Sequence, residues 1–155
     1  MNNNKIIKPI EIMLVEDSPG DIRLTKEILK ESKVRNNLHV VTDGVEAMSF
    51  LRKEGKCANV PYPGLIMLDL NLPKKDGREV LSEIKSDKKL KKIPVVIMTT
   101  SKSEEDICRA YGLHANCYVV KPIDLNQFIR VVKVIENFWF TIAKLPNIEK
   151  CRITK

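Results

Sequence analysis

Several apolar runs in this chain end in side chains that could do chemistry. The run over 10–15 leads into Glu16-Asp17, and the run over 65–70 carries Asp69 near its end. The run over 95–99 closes on Thr99-Thr100, and the run over 117–120 leads into Lys121-Pro122. Brought to one rim, these residues would set three carboxylates, two hydroxyls and an ammonium together. Clustered carboxylates repel one another and call for a cation. Ligands that are all oxygen suit a hard ion, and one that keeps several waters suits Mg²⁺. A carboxylate beside such an ion can attack phosphorus and form an acyl phosphate. The ion and the lysine would offset charge on the phosphoryl oxygens, and a threonine hydroxyl could bond one of them. Each residue alone has an ordinary reading as a helix start, a turn or a solvated loop. Four polar ends after apolar runs are harder to explain that way.

The elements that must position them follow from periodicity. The ranges 10–15, 38–42, 65–70, 95–99 and 117–120 read as strands, and the apolar cores of the third and fourth are continuous rather than alternating. Continuous runs suit parallel strands covered on both faces. Helical patterns fill the gaps. Ser18 caps the first, with Pro19 at its first position, and helices are expected over 44–52, 77–84 and 103–112. Asp124 caps a fifth, expected over 125–143. The fold class is therefore α/β, a (βα)5 doubly wound parallel sheet of five strands in the flavodoxin-like order 2-1-3-4-5, with an extended C-terminal helix and tail. In such a sheet, functional groups gather beyond the carboxyl ends of the strands. One domain over 8–145 is expected, then a tail over 146–155 and no output domain.

Glu16-Asp17, Asp69, Thr99, Tyr118 and Lys121-Pro122 resemble the signature of response-regulator receiver domains. Pro73 stands four residues after Asp69, Gly77 eight, Thr99 thirty and Lys121 fifty-two. The resemblance implies that Asp69 accepts phosphate from a phosphohistidine on a sensor kinase. It implies Mg²⁺ held by Asp17, Asp69 and the backbone carbonyl of Asn71, with Glu16 acting through water. Thr99 would move toward the phosphoryl group, Tyr118 would swing inward behind it, and Lys121 would pair with the phosphate ahead of a cis bond to Pro122. The stretches around Leu14, Leu68 and His114, with Asn137-Phe-Trp-Phe-Thr-Ile, are similar to small regulators that partner phytochrome-type histidine kinases. Those lack output domains and form dimers through the last helix and strand. Two positions depart from the common pattern. Thr100 stands where a smaller residue is frequent and would narrow access, and Glu16 replaces a frequent Asp.

The last helix is informative without the family. At 100° per residue, Leu125, Phe128, Ile129, Val132, Ile135 and Trp139 share a face, with Val131, Val134, Phe138, Ile142 and Leu145 as a second stripe. The apolar arc is roughly 220°, about twice what packing on a sheet requires. The excess predicts a homodimer interface at Val131, Val134, Phe138 and Ile142, with a back-folded tail as the alternative occupant.

Rival chemistries fit less well. A haloacid dehalogenase-type aspartyl-phosphate hydrolase needs a general acid two residues after its nucleophile, and Asn71 cannot serve. Autocatalysed loss of phosphate should then be slow. No Walker A or GxGxxG follows the first strand. The net charge of +7 and the five lysines of 85–92 raise nucleic-acid binding, but no aromatic interleaves with them and no helix-turn-helix follows. The four cysteines form no CxxC and the two histidines lie far apart, which reads as reduced thiols rather than a disulfide framework or zinc site. The N-terminus lacks a secretory h-region, and no apolar run approaches the roughly 20 residues of a membrane span. A cytoplasmic location follows as the expectation.

Overall fold

The computed structural model describes residues 8–151. The N-terminal residues 1–7, and 152–155 of the expected tail, lie outside it. Five strands, Ile10–Val15 (β1), Asn36–Val41 (β2), Leu65–Leu68 (β3), Val95–Thr99 (β4) and Cys117–Val120 (β5), form one sheet. Neighbours are all parallel and the order is β2-β1-β3-β4-β5, as the alternating pattern predicts. The helices are Pro19–Lys30 (α1), Gly44–Leu51 (α2), Gly77–Ser86 (α3), Glu104–Gly112 (α4) and Leu125–Asn137 (α5).

Period-two alternation divides the core between the two faces of the sheet. Ile12, Leu14, Leu65, Met67, Val96 and Met98 pack with Leu29, Phe128 and Val132 of α1 and α5. Met13, Val15, Ile66, Leu68, Val95 and Ile97 pack with α2, α3 and α4. Every residue of β3 and β4 is buried, which accounts for their continuous apolar runs. Each helix starts on a side-chain cap. Ser18, Asp43, Asp76, Ser103 and Asp124 each accept a backbone N–H of the first turn. The order of connections reverses between β1 and β3, so the crevice beyond their carboxyl ends is where a ligand site is expected.

Two expected element bounds need correction. β3 stops at Leu68, not at residue 70. The Asp69 N–H still reaches the Val15 carbonyl, but the Leu70 carbonyl turns to accept Gly77 N–H at 2.9 Å. α5 does not run unbroken to 143: it passes into a π-helical turn, Phe138–Ile142, closed by Ala143 N–H on the Phe138 carbonyl at 2.8 Å. That turn carries Phe140 into the core, while Leu125, expected to face the sheet, is 54 % exposed. Leu145 and Ile148 fold back, and Ile148 is buried among the residues of the α2–α3–α4 face.

Candidate functional site

Lys121 is the hub of the rim. Its Nζ donates to Glu16 at 2.7 Å and to Asp21 and Asp69 at 2.9 Å each. Glu16, Asp69 and Thr99 are all buried. Asp69 divides its oxygens: Oδ2 takes Lys121, and Oδ1 accepts Asn71 N–H at 3.1 Å. Glu16 Oε1 accepts Ser18 N–H at 3.0 Å. Asp17 stays exposed, yet a carboxylate oxygen of each of Glu16, Asp17 and Asp69 lies within 4.8 Å of the others. The three acids expected from sequence are therefore together, and an all-oxygen donor set of this kind suits a hard divalent cation.

Charge in this pocket is uneven. Burial raises the Glu16 carboxyl to about 7, with the neighbouring Asp69 charge adding to the effect and Lys121 opposing it. Burial also pushes Asp69 up, but the hydrogen bonds from Lys121 and Asn71 outweigh it and hold Asp69 below the usual carboxylate range. Lys121 resists its own burial through Glu16, Asp69 and Asp21 and stays protonated. The two shifts run in opposite directions and favour charge on Asp69 over Glu16. An ionised, oriented carboxylate is what nucleophilic attack on phosphorus needs.

The switch residues flank it. Thr99 Oγ1 receives the Asn71 amide at 3.4 Å. Tyr118 is half-buried, its ring against the core and its hydroxyl donating to the Ser101 carbonyl at 3.0 Å. Thr100, expected to narrow access, is exposed at the rim. The cis bond expected before Pro122 is absent, for no peptide bond among the described residues is cis. Lys121 N–H continues the β4 ladder onto the Thr99 carbonyl at 2.7 Å, and its side chain reaches all three acids from this trans backbone.

Asp21 is the site residue that sequence reasoning missed. An acid in the first turn of a helix reads as a partner for the helix dipole. Its contact with a lysine a hundred positions away becomes visible only once β5 and α1 are placed. Beneath the hub lies a cavity of about 10 Å³ walled by Leu14, Met67, Met98 and Phe128. That is the lower bound for one water.

Along α5 and the π turn after it, Val134, Phe138 and Ile142 are exposed and Val131 is half-buried. With Cys117, Val119 and Trp139, three of these residues (Val131, Val134 and Phe138) line an apolar groove of about 400 Å³ between β5 and α5. Among the described residues no helix is long and apolar enough to cross a membrane.

This sheet order, with a buried acid just past β3 paired to a lysine just past β5, defines a class. The chain belongs to the response regulator receiver domain family, whose profile matches residues 12–133. It is 51% identical over 138 residues to response regulator Rcp1 of Synechocystis sp., covering 89% of this chain and 94% of Rcp1. The solved Mn²⁺-bound form of Rcp1 superposes with a TM-score of 0.88 at 51% identity, covering 89% of this chain and 99% of that one. The phosphorylated cyanobacterial phytochrome response regulator RcpA gives a TM-score of 0.88 at 55% identity over 90% of this chain and 99% of its own. Neither a hydrolase nor a nucleic-acid-binding module is favoured by these likenesses.

Proposed function

We propose that Asp69 is the phosphoryl acceptor of a two-component exchange with a sensor histidine kinase of the phytochrome type. The observation that carries this reading is the placement of Asp69: buried, and aimed by Lys121 and Asn71 N–H. A carboxylate oxygen attacks the phosphorus of the kinase phosphohistidine. The new P–O bond forms as the P–N bond breaks, and the imidazole nitrogen recovers the electron pair and takes up a proton. Lys121 stays charged and pairs with a phosphoryl oxygen. Thr99 exchanges its long contact with Asn71 for another of those oxygens, and Tyr118 follows the loop.

The acid cluster fits Mg²⁺, which Asp17, Asp69 and the Asn71 backbone carbonyl would hold, with Glu16 acting through water. When bound, the ion would offset charge on the transferred group. Asn71 offers no general acid or base at the neighbouring position, so the phosphoryl group should be stored rather than rapidly lost. The exchange is assigned to the cytoplasm, in keeping with four unpaired thiols. The output is assigned to protein contact through a homodimer at Val131, Val134, Phe138 and Ile142. The exposure of the last three supports this, and the name of RcpA supports the kinase type.

Incubation with Mg²⁺ and a small acyl phosphate tests the assignment. Wild type should gain one acid-stable, hydroxylamine-labile phosphoryl group, and Asp69→Asn should gain none. Equal labelling of both proteins would remove Asp69 from the role.

A further inference from the structure

The start of α3 is fixed to the acceptor loop. Gly77 N–H donates to the Leu70 carbonyl at 2.9 Å, and a β-carbon at Gly77 would collide with the Asp69 carbonyl oxygen. Asp76 caps the helix by accepting Arg78 N–H at 3.0 Å, and it also holds the Arg78 guanidinium at 3.0 Å. From this root the guanidinium reaches α4. Its Nε and Nη2 each donate at 2.7 Å to a different oxygen of Asp106. Such planar, two-point pairing gives direction as well as strength, which a lysine cannot reproduce.

The contact does not end there. Asp106 Oδ2 accepts the Ser101 hydroxyl at 2.6 Å, and the Ser101 carbonyl accepts the Tyr118 hydroxyl at 3.0 Å. Arg78 and Asp106 are only 21% and 17% exposed, so this pair is poorly screened compared with an ordinary surface pair. Polar contacts joined by short covalent steps therefore run from the Leu70 carbonyl, next to Asp69, to β5 without touching the Thr99 side chain.

We infer that Arg78 is a positioning residue that couples the acceptor loop, through Asp106 and Ser101, to α4 and Tyr118. This gives phosphorylation a second route to the α4–β5 face beside Thr99. The inference rests on Asp69 being the acceptor. When the acceptor loop adjusts to a phosphoryl group, the first turn of α3 moves with it, because Gly77 leaves no slack. The fork passes that displacement to the first turn of α4, and Ser101 passes it to the tyrosine.

Backbone amide spectra with Mg²⁺, before and after a beryllium fluoride mimic of the phosphoryl group, test the route. In wild type, shifts should appear at Asp69–Asn71, at Ser101–Gly112 and at Tyr118. In Arg78→Gln and Asp106→Asn the shifts near Asp69 should persist. Those over α4 and Tyr118 should shrink by roughly threefold or more, within the range that contacting pairs produce. The double variant should be no worse than either single one, and Arg78→Lys should recover only part. If Arg78→Gln does not fold, Ser101→Ala removes the hydroxyl link alone and should still weaken the response at Tyr118. Wild-type-sized shifts over α4 and Tyr118 in these variants would overturn the coupling. A wild type that neither labels with acyl phosphate nor shifts near Asp69 would instead overturn the acceptor assignment.

Discussion

One ammonium at Lys121 faces three carboxylates, and its side chain is only 8% exposed. Lys121→Met would leave Glu16, Asp21 and Asp69 without this counter-charge, and Glu16 and Asp69 have almost no water to screen them. Losing one partner of a buried ion pair costs about 3–5 kcal/mol. Urea unfolding of the metal-free variant should show a loss of that order, and Mg²⁺ should restore more stability to the variant than to wild type. No difference in the response to Mg²⁺ would mean that the acids do not share a cation. Asp106 gives the clearer dependence on pH. The Arg78 fork, then the Ser101 hydroxyl, hold its carboxyl at about 2 against an ordinary 3.8. A carboxyl depressed by folding stabilises the protein above its unfolded value, and that contribution fades as pH falls through the folded one. Stability should therefore drop between about 3.8 and about 2, and Asp106→Asn should flatten that limb in acid titrations followed by circular dichroism. At this scale the sequence was informative where a residue closes a strand. Glu16, Asp17, Asp69, Thr99 and Lys121 all do. Asp21 and the Arg78–Asp106 fork sit in first turns of helices, where acids and arginines have commonplace explanations and their partners are distant.

Glycines show which element contacts are close and which are not. A β-carbon at Gly77 would meet backbone atoms of both Asp69 and Leu70, and backbone cannot step aside as a side chain can. Gly77→Ala should lose about 1–3 kcal/mol, the usual cost of overpacking. It should also slow labelling of Asp69, because the displaced loop carries the acceptor. At Gly20, in the first turn of α1, a β-carbon meets nothing within 4 Å. Gly20→Ala should therefore gain about 0.4–1 kcal/mol by restricting the unfolded chain. Urea midpoints at unchanged slope check both, and a neutral Gly77→Ala would show that the loop yields. The same distinction explains which elements were legible. Buried strands and capped helices announce themselves through period and cap residues, and β1, β4 and β5 fall where the pattern puts them. The end of β3 depends instead on a carbonyl that turns toward Gly77, a partner in another element. The π turn over Phe138–Ile142 leaves no mark in a periodicity drawn at 100° per residue, since the turn itself breaks that period.

The acid rim and the apolar groove of the last helix share no lining residue. The order β2-β1-β3-β4-β5 was legible because each strand and helix alternate, and parallel connections allow few alternatives. What covers the wide apolar face of the last helix was not legible, since a back-folded tail and a second copy both suit the same residues. Part of the apolar excess turns back into the core, and part stays open. Phe140, Leu145 and Ile148 turn inward, while Val134, Phe138 and Ile142 remain 63 %, 46 % and 63 % exposed. The division falls across the π turn, where Phe140 lies in the core while Phe138 and Ile142, at its two ends, face out. An apolar patch beside an apolar-lined groove is costly to leave in water, and a self-complementary face is the simplest cover. Sedimentation at tens of micromolar should find wild type as a dimer. Phe138→Asp should sediment as a monomer and still label at Asp69, since Phe138 lines the groove and not the acid rim. The aspartate would be solvated in the monomer and desolvated without a partner in the dimer, which shifts the equilibrium rather than the fold. A wild type that stays monomeric with and without a phosphoryl mimic would leave this face to some other protein.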